Sequence, residues 1–170
     1  MLPSAQQLSA YLASLGISPS DCVVVYDGMG VWSAPRIRLT LRHFGVDNVA
    51  VLEGGIKAWM AEGGHVESGE PAPVPSVVVA AAAAVPLQPK SGFVRSMADV
   101  AANVSKKEFV VVDARSRGRF DGTEPEPRPD IPSGHIEGAK SVPFMSLLET
   151  DEKTGASQAQ HWTQGVGRCH

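Results

Sequence analysis

The sequence predicts an α/β protein in which parallel strands are flanked by helices. Short β-branched runs without polar alternation, at residues 22–26 (CVVVY) and 49–52, are typical of strands that are covered on both faces of a sheet. Segments with helical period separate these runs. Because parallel strands are joined by long, right-handed and usually helical crossovers, this order of elements indicates a parallel sheet and the α/β class.

Three helices are predicted around these strands. The first lies within residues 3–16, where Pro3 and Ser4 open it and Gly16 ends it. The second covers residues 34–44, and the third covers about residues 56–61 between two glycine pairs. The apolar positions on which the first two helices depend are Leu8, Leu12, Leu15, Ala34, Ile37, Leu41 and Phe44. The residues predicted to face away from the apolar side of the second helix are Arg38 and Arg42.

A change of composition at residues 68–89 predicts a domain boundary. Its closely spaced prolines do not fit inside a helix or a central strand, so the segment is interpreted as an extended linker or edge. From about residue 155 the chain is polar and without period, which predicts a disordered or poorly packed tail. The elements predicted between these two segments are a helix near 97–104, strands near 109–112 and 141–142, and a helical turn near 144–148.

Composition and charge argue against two classes of partner. The 170 residues are 43% hydrophobic and 19% charged, which is normal for a globular protein. A net charge of −3 provides no broad positive field for nucleic acid or an anionic membrane. The longest apolar run, residues 77–85, has about half of the roughly 20 residues of a membrane span. We therefore expect no nucleic acid and no membrane as partners, and two cysteines predict no disulfide scaffold.

Residues 111–144 contain an ordered series of motifs: a strand, D-x-R, GRF, EPEP, SGHI-x-GA and a PF pair. The series closely resembles the opening of the second domain in two-domain rhodanese and mercaptopyruvate sulfurtransferases. The motifs VVVYDG, SAPR, HFG and LEGGIKAW also occur in the order seen in the back half of that family's first domain. The resemblance implies two incomplete tandem rhodanese-like domains, each a parallel sheet flanked by helices. The implied division is the back half of a first, catalytically silent domain at 1–70, a Pro/Ala-rich linker at 71–90, the front half of a second domain at 91–154, and an unmatched tail at 155–170.

The resemblance implies a sulfur-transfer chemistry without metal or cofactor. Members of the family use a cysteine thiolate to take sulfur from 3-mercaptopyruvate or thiosulfate, hold it as a persulfide, and pass it to cyanide or a thiol. Because the donor is an anion, arginines suit its carboxylate or sulfonate. By motif position, Arg119 in GRF and Arg128 in EPEPR are the candidate substrate-binding residues, and Arg128 favours the mercaptopyruvate type. Without the resemblance, Arg119 is more simply a structural ion pair with a loop carboxylate such as Asp113 or Glu124.

No catalytic residue is predicted. The family's active-site cysteine opens a C-x-x-G-V-T-A loop, and no such loop occurs in this sequence. Cys22 is interpreted as a small buried hydrophobe in a strand, and Cys169 as an ordinary thiol in the tail. By the resemblance, Asp27 stands where a nucleophile would stand in the first half, and an aspartate does not carry a persulfide. For His135 in SGHI a role in holding the turn is favoured over catalysis.

The sequence thus indicates a sulfurtransferase-family protein, an internal stretch of a longer one, that we expect to be inactive as given. Three alternatives stay open: a shortened enzyme, a non-catalytic rhodanese-like module that binds an anion or a partner, and an unstable product whose half-domains expose sheet edges. The implied partners are a small anionic sulfur donor and a thiol or cyanide acceptor. The expected compartment is the cytoplasm, with the mitochondrion as the alternative.

Overall fold

A computed structural model describes residues 2–73, 75 and 86–159 of the chain, and they belong to two units. The first unit lies within Met1–Phe93 and Thr150–His170, and the second is Val94–Glu149. Each unit contains a two-stranded parallel sheet with helices beside it in the chain. The predicted α/β class is therefore confirmed.

The first unit has five elements before the proline-rich segment. They are α1 (Ala5–Ser14), β1 (Val23–Val25), α2 (Ala34–His43), β2 (Val49–Val51) and α3 (Gly55–Ala61). The chain then continues with α4 (Met97–Lys106), β3 (Val112–Asp113), α5 (Arg117–Asp121), β4 (Lys140–Ser141), a 3-10 turn (Phe144–Leu147), β5 (Leu148–Thr150) and β6 (Ser157–Ala159). Strand β1 pairs with β2 in parallel, β3 pairs with β4 in parallel, and β5 and β6 form a third sheet.

Helix α1 begins where the sequence predicts because its first turn is capped. The Ser4 hydroxyl accepts a hydrogen bond from the Gln7 backbone N–H at 3.1 Å, and the Gln7 side chain accepts one from the Ser4 N–H at 2.9 Å. This reciprocal capping satisfies donors that a helix otherwise leaves unpaired. Leu8 and Leu12 are buried as predicted, whereas Leu15 is 45% exposed.

One hydrophobic cluster holds the first unit together. Its buried members are Leu8, Leu12, Leu41, Phe44, Val46, Val49 and Leu87. Leu87 comes from the proline-rich segment that the sequence interpretation treats as linker. The neighbouring Lys90 donates its backbone N–H to the His43 carbonyl at 2.7 Å and pairs its ammonium with Asp47. Residues 87–90 are thus attached to the first unit, whose first segment ends at Phe93.

Helix α2 differs from its prediction at three residues, and one of them is Arg42, which is partly buried instead of facing away from the apolar side. Ile37 is 49% exposed instead of buried. Arg38 is partly buried, because its Nε–H donates to the carbonyl oxygen of Val49 at 3.0 Å at the start of β2. A backbone carbonyl that needs a donor therefore draws an arginine toward the sheet.

The second unit is held by polar contacts more than by a core. Phe120 is its one buried hydrophobic side chain, and residues 94–149 are all described. Ser96 and Asp99 cap α4 reciprocally, at 3.1 and 2.8 Å. The amide of Asn103 then bonds both the N–H and the carbonyl of Phe109, at 3.0 and 2.8 Å. This pair of bonds connects the end of α4 to the segment that enters β3.

The predicted tail is ordered over the part that the structure describes. Ala156 is fully buried, and the Ser157 N–H donates to the Met29 carbonyl at 3.0 Å. Gly30 has a φ of +108°, and a Cβ there would overlap the Ser157 carbonyl oxygen. Residues 155–157 therefore pack on the loop after β1, contrary to the predicted disorder. The rest of the predicted tail, residues 160–170, lies outside the described residues.

Candidate anion-binding site

The loop between β1 and α2 encloses the carboxylate of Asp27. Its Oδ1 accepts hydrogen bonds from the N–H groups of Met29 and Gly30, at 2.9 and 2.8 Å. Its Oδ2 accepts from three further N–H groups at 2.7–2.9 Å, those of Trp32, Ser33 and Ala34. The last of these belongs to the first residue of α2, so a helix N-terminus also faces the charge. Five backbone donors therefore converge on one anion.

The titration of Asp27 reflects these donors. Partial burial raises the pKa of Asp27, but the backbone hydrogen bonds from the loop outweigh it and lower the pKa to about 2. Asp27 is therefore ionised at neutral pH. The loop has the chemistry that stabilises a thiolate or persulfide, and a fixed carboxylate already fills it.

Cys22 does not reach this loop. It is exposed and precedes β1, so it was wrongly interpreted as a buried strand residue. Asp27 follows the same strand at the opposite end, and five extended residues span about 16 Å. Cys169 lies outside the described residues.

In the second unit, Arg119 is paired with Glu126. Its Nε–H donates to Glu126 Oε1 at 3.0 Å, and one terminal nitrogen donates to Oε2 at 2.5 Å. The Glu126 side chain is only 6% exposed, whereas that of Arg119 is 28% exposed. Arg119 therefore has the ion pair expected of a structural residue, but neither proposed partner, Asp113 or Glu124, supplies it.

Arg115, which the sequence interpretation does not single out, occupies the centre of this cluster. Its Nε–H lies 3.0 Å from both oxygens of Asp113, and one terminal nitrogen donates to Glu126 at 2.6 Å. The other terminal nitrogen donates to Asp113 and to the Gly134 carbonyl, both at 2.5 Å. The D-x-R motif could have identified Arg115 from the sequence, since an Asp two residues before an Arg allows the two side chains to pair.

The pKa values in the cluster shift as paired charges require. Hydrogen bonds from the Arg115 side chain lower the pKa of Asp113. Hydrogen bonds from Arg119, and to a smaller extent from Arg115, lower the pKa of Glu126. In both carboxylates burial raises the pKa, but by less. The hydrogen bonds that Arg115 donates to Asp113 raise the pKa of Arg115, and those that Arg119 donates to Glu126 raise the pKa of Arg119. All four groups are charged at neutral pH, so their net charge is zero.

Arg128 differs from Arg119 in its surroundings. It is exposed and makes no hydrogen bond or ion pair with the part of the chain that the structure describes. Of the two predicted substrate-binding arginines, Arg119 lies in α5, and Arg128 lies in the connection between α5 and β4. Their role in binding the donor anion stays a prediction.

His135 lies against Phe120. Its ring stacks on the Phe120 ring with centroids 3.8 Å apart and an 8° interplanar angle, and its Nδ1 lies 2.8 Å from the Phe120 carbonyl oxygen. A carbonyl only accepts, so Nδ1 carries the proton in this contact. These contacts fit the favoured role of His135 in holding the turn.

Among the described residues, no group of three or more His, Cys, Asp or Glu side chains is arranged to hold a metal ion. Within the same residues, no helix combines the length and the apolar character of a membrane crossing. An open cleft of about 560 Å³ adjoins β3; its lining includes Asp113, Arg115 and His135 but neither Arg119 nor Arg128.

Comparison with known proteins gives the same fold. Residues 1–62 match the family described as Rhodanese-like domain. The 3-mercaptopyruvate sulfurtransferase of Rattus norvegicus is 39% identical over 153 residues, 89% of this chain and 49% of the relative. A mitochondrial thiosulfate/3-mercaptopyruvate sulfurtransferase of Arabidopsis thaliana is 38% identical over 164 residues, 88% of this chain and 43% of the relative.

The crystal structure of SseA from Escherichia coli, a 3-mercaptopyruvate sulfotransferase with the rhodanese fold, superposes with a TM-score of 0.70. It is 27% identical, and the match covers 88% of this chain and 53% of that one. The fold and the motif-bearing loops thus define a rhodanese-like protein. The chain belongs to the family of rhodanese and 3-mercaptopyruvate sulfurtransferases, and it spans about half the length of the curated relatives that it matches.

Proposed function

We propose that this chain binds the anionic donor of a sulfurtransferase through Arg119 and Arg128 but forms no persulfide itself. The observation that carries the proposal is the contrast between the two arginines. Glu126 fixes Arg119 at the edge of a partly buried cluster, while Arg128 is exposed and without a partner among the described residues. Arg119, held in one orientation, and Arg128, with its guanidinium exposed, can together bind a small anion that has a charged or polar group at each end.

The donor class follows from the family and from charge. The relatives are named for 3-mercaptopyruvate and thiosulfate. The charges of the four-residue cluster around Arg119 sum to zero, so the cluster offers an anion little net attraction. The positive charge that attracts the donor therefore comes from Arg128. We infer that 3-mercaptopyruvate binds more tightly than thiosulfate, because the arginine that ends the EPEPR motif, Arg128, resembles the mercaptopyruvate type of the family.

The absence of sulfur transfer is inferred from Asp27 and Cys22. Asp27 fills the backbone loop that, by the family resemblance, corresponds to a nucleophile site, and Cys22 lies at the far end of β1. A thiol or cyanide acceptor would therefore find no sulfane sulfur on the part of the chain that the structure describes. The compartment stays a prediction between cytoplasm and mitochondrion.

Binding and turnover are measured separately. Thiosulfate and 3-mercaptopyruvate are titrated into the purified chain by calorimetry at low salt, and thiocyanate release is measured with cyanide as acceptor. We expect saturable binding without turnover. Arg128→Ala should weaken binding about tenfold, equivalent to about 1.4 kcal/mol for a lost charged contact.

Lys106→Ala is the matched control, because it removes one exposed positive charge from the same unit. Its effect should stay within twofold. Absence of saturable binding, or sustained release of thiocyanate by the chain, would contradict the proposal.

A further inference from the structure

Glu126 is the acidic residue that Arg115 and Arg119 share in the second unit. Its Oε1 accepts from Arg115 at 2.6 Å and from Arg119 at 3.0 Å, and its Oε2 accepts from Arg119 at 2.5 Å. A carboxylate that is 6% exposed needs this pairing, since an unpaired buried charge is costly. Glu126 is therefore held in place by two guanidinium groups.

The two arginines use their donors differently. A guanidinium has five N–H groups. Arg115 directs all three of its nitrogens to Asp113, Glu126 and the Gly134 carbonyl. Arg119 bonds one carboxylate only, through Nε and one terminal nitrogen. The remaining terminal nitrogen of Arg119 has no bond within the described residues, which leaves one edge of its fork for a ligand.

We propose that Glu126 is the positioning residue for Arg119, and that it orients the free edge of the Arg119 fork toward the donor anion. The proposal rests on the donor-binding role of Arg119 given above. Arg115 offsets the charge of Glu126 and fixes it to the loop at Asp113 and Gly134. Glu126 thus lowers the cost of ordering Arg119 when the anion binds, although its own charge opposes that anion.

Positioning and charge make opposite predictions for Glu126→Gln. If only charge mattered, losing a carboxylate would make the cluster more positive and tighten anion binding. If Glu126 positions Arg119, the amide keeps only one acceptor oxygen for two guanidinium groups, and the fork loses its fixed orientation. We expect thiosulfate to bind about fivefold to tenfold more weakly to the variant.

Glu124→Gln is the matched control. It makes the same charge change two residues away, but Glu124 is exposed and bonds Ser116 at 2.8 Å rather than an arginine. Thiosulfate should bind this variant as tightly as the wild type or slightly more tightly. Equal or tighter binding by Glu126→Gln than by Glu124→Gln would overturn the proposal.

A second measurement does not depend on the stability of Glu126→Gln or on a ligand. The solvent exchange rates of the Arg119 and Arg128 Nε–H groups are compared by NMR in the unsubstituted chain. We expect the Arg119 Nε–H to exchange at least tenfold more slowly, because it is bonded to Glu126. Equal rates would overturn the positioning role. Failure of the wild type to bind thiosulfate would instead remove the donor-binding function, whatever the exchange rates.

Discussion

Replacing Asp27 by Asn tests how strongly the loop after β1 depends on the partly buried charge of Asp27. The backbone hydrogen bonds of the loop lower the pKa of Asp27 from 3.8 to about 2. At about 1.4 kcal/mol per unit this would be roughly 2.5 kcal/mol, and partial exposure to solvent reduces it to about 1–2 kcal/mol. Asparagine keeps one oxygen for the five N–H donors and turns an NH₂ group toward the others. We expect the free energy of unfolding at pH 7 to fall by about 1–2 kcal/mol.

The pH dependence has a defined sign. Because folding lowers the pKa of Asp27, its stabilisation is complete above pH 4 or so and is lost as the pH falls toward the folded value of about 2. Urea unfolding followed by tryptophan fluorescence reports on the first unit, where Trp32 and Trp59 lie. The difference between wild type and variant should therefore shrink from pH 4 downward.

Glu62→Gln is the control for charge, because Glu62 is an exposed carboxylate of the same unit. It should change the unfolding free energy by less than about 0.5 kcal/mol. If Asp27→Asn is as stable as the wild type at pH 7, or if its deficit is independent of pH below 4, the reasoning about the loop is refuted.

Three other changes have definite expected outcomes. Gly30→Ala should cost about 2 kcal/mol or more in urea unfolding, since the added Cβ overlaps Ser157 at a positive φ, whereas Gly28→Ala has open space and should be nearly neutral. Leu87→Ala should cost about 2–4 kcal/mol, and a change below about 0.5 kcal/mol would mean that the proline-rich segment is a free linker after all. Asp27→Cys should place a thiolate among the backbone donors, and alkylation rates against pH should give a thiol pKa below the ordinary value of about 8.5. An ordinary value would show that the loop does not stabilise sulfur anions.

The sequence predicts those elements whose cause is local. The start of helix α1 at Ser4 is predicted correctly from the sequence, because the capping partner Gln7 lies only three residues away. Predictions that depend on tertiary contacts were less successful. Leu87 is a single apolar residue among prolines, and no period distinguishes it from linker, although it lies in the core. Arg38 has the spacing of a solvent-facing residue, but a carbonyl of β2 attracts it.

The same limit applies to the candidate site. An ion pair for Arg119 was a recognised alternative, yet the suggested partners are engaged elsewhere: Asp113 bonds Arg115, and Glu124 bonds Ser116. Glu126 is only slightly farther from Arg119 in sequence than either of them. The choice among the three carboxylates depends on how the EPEP loop folds back over α5, which the motif does not specify.

The attachment of residues near both 90 and 157 to the first unit makes the second unit an insertion. While the first unit is folded, the 56 residues of the second unit, Val94–Glu149, form a closed loop even when they are themselves unfolded. By polymer theory, closing a loop of that length removes roughly 3–4 kcal/mol of chain entropy from the unfolded state. A unit with so small a core thus gains stability from being tied at both ends, and cutting the chain near residue 150 should loosen it without removing any of its own contacts.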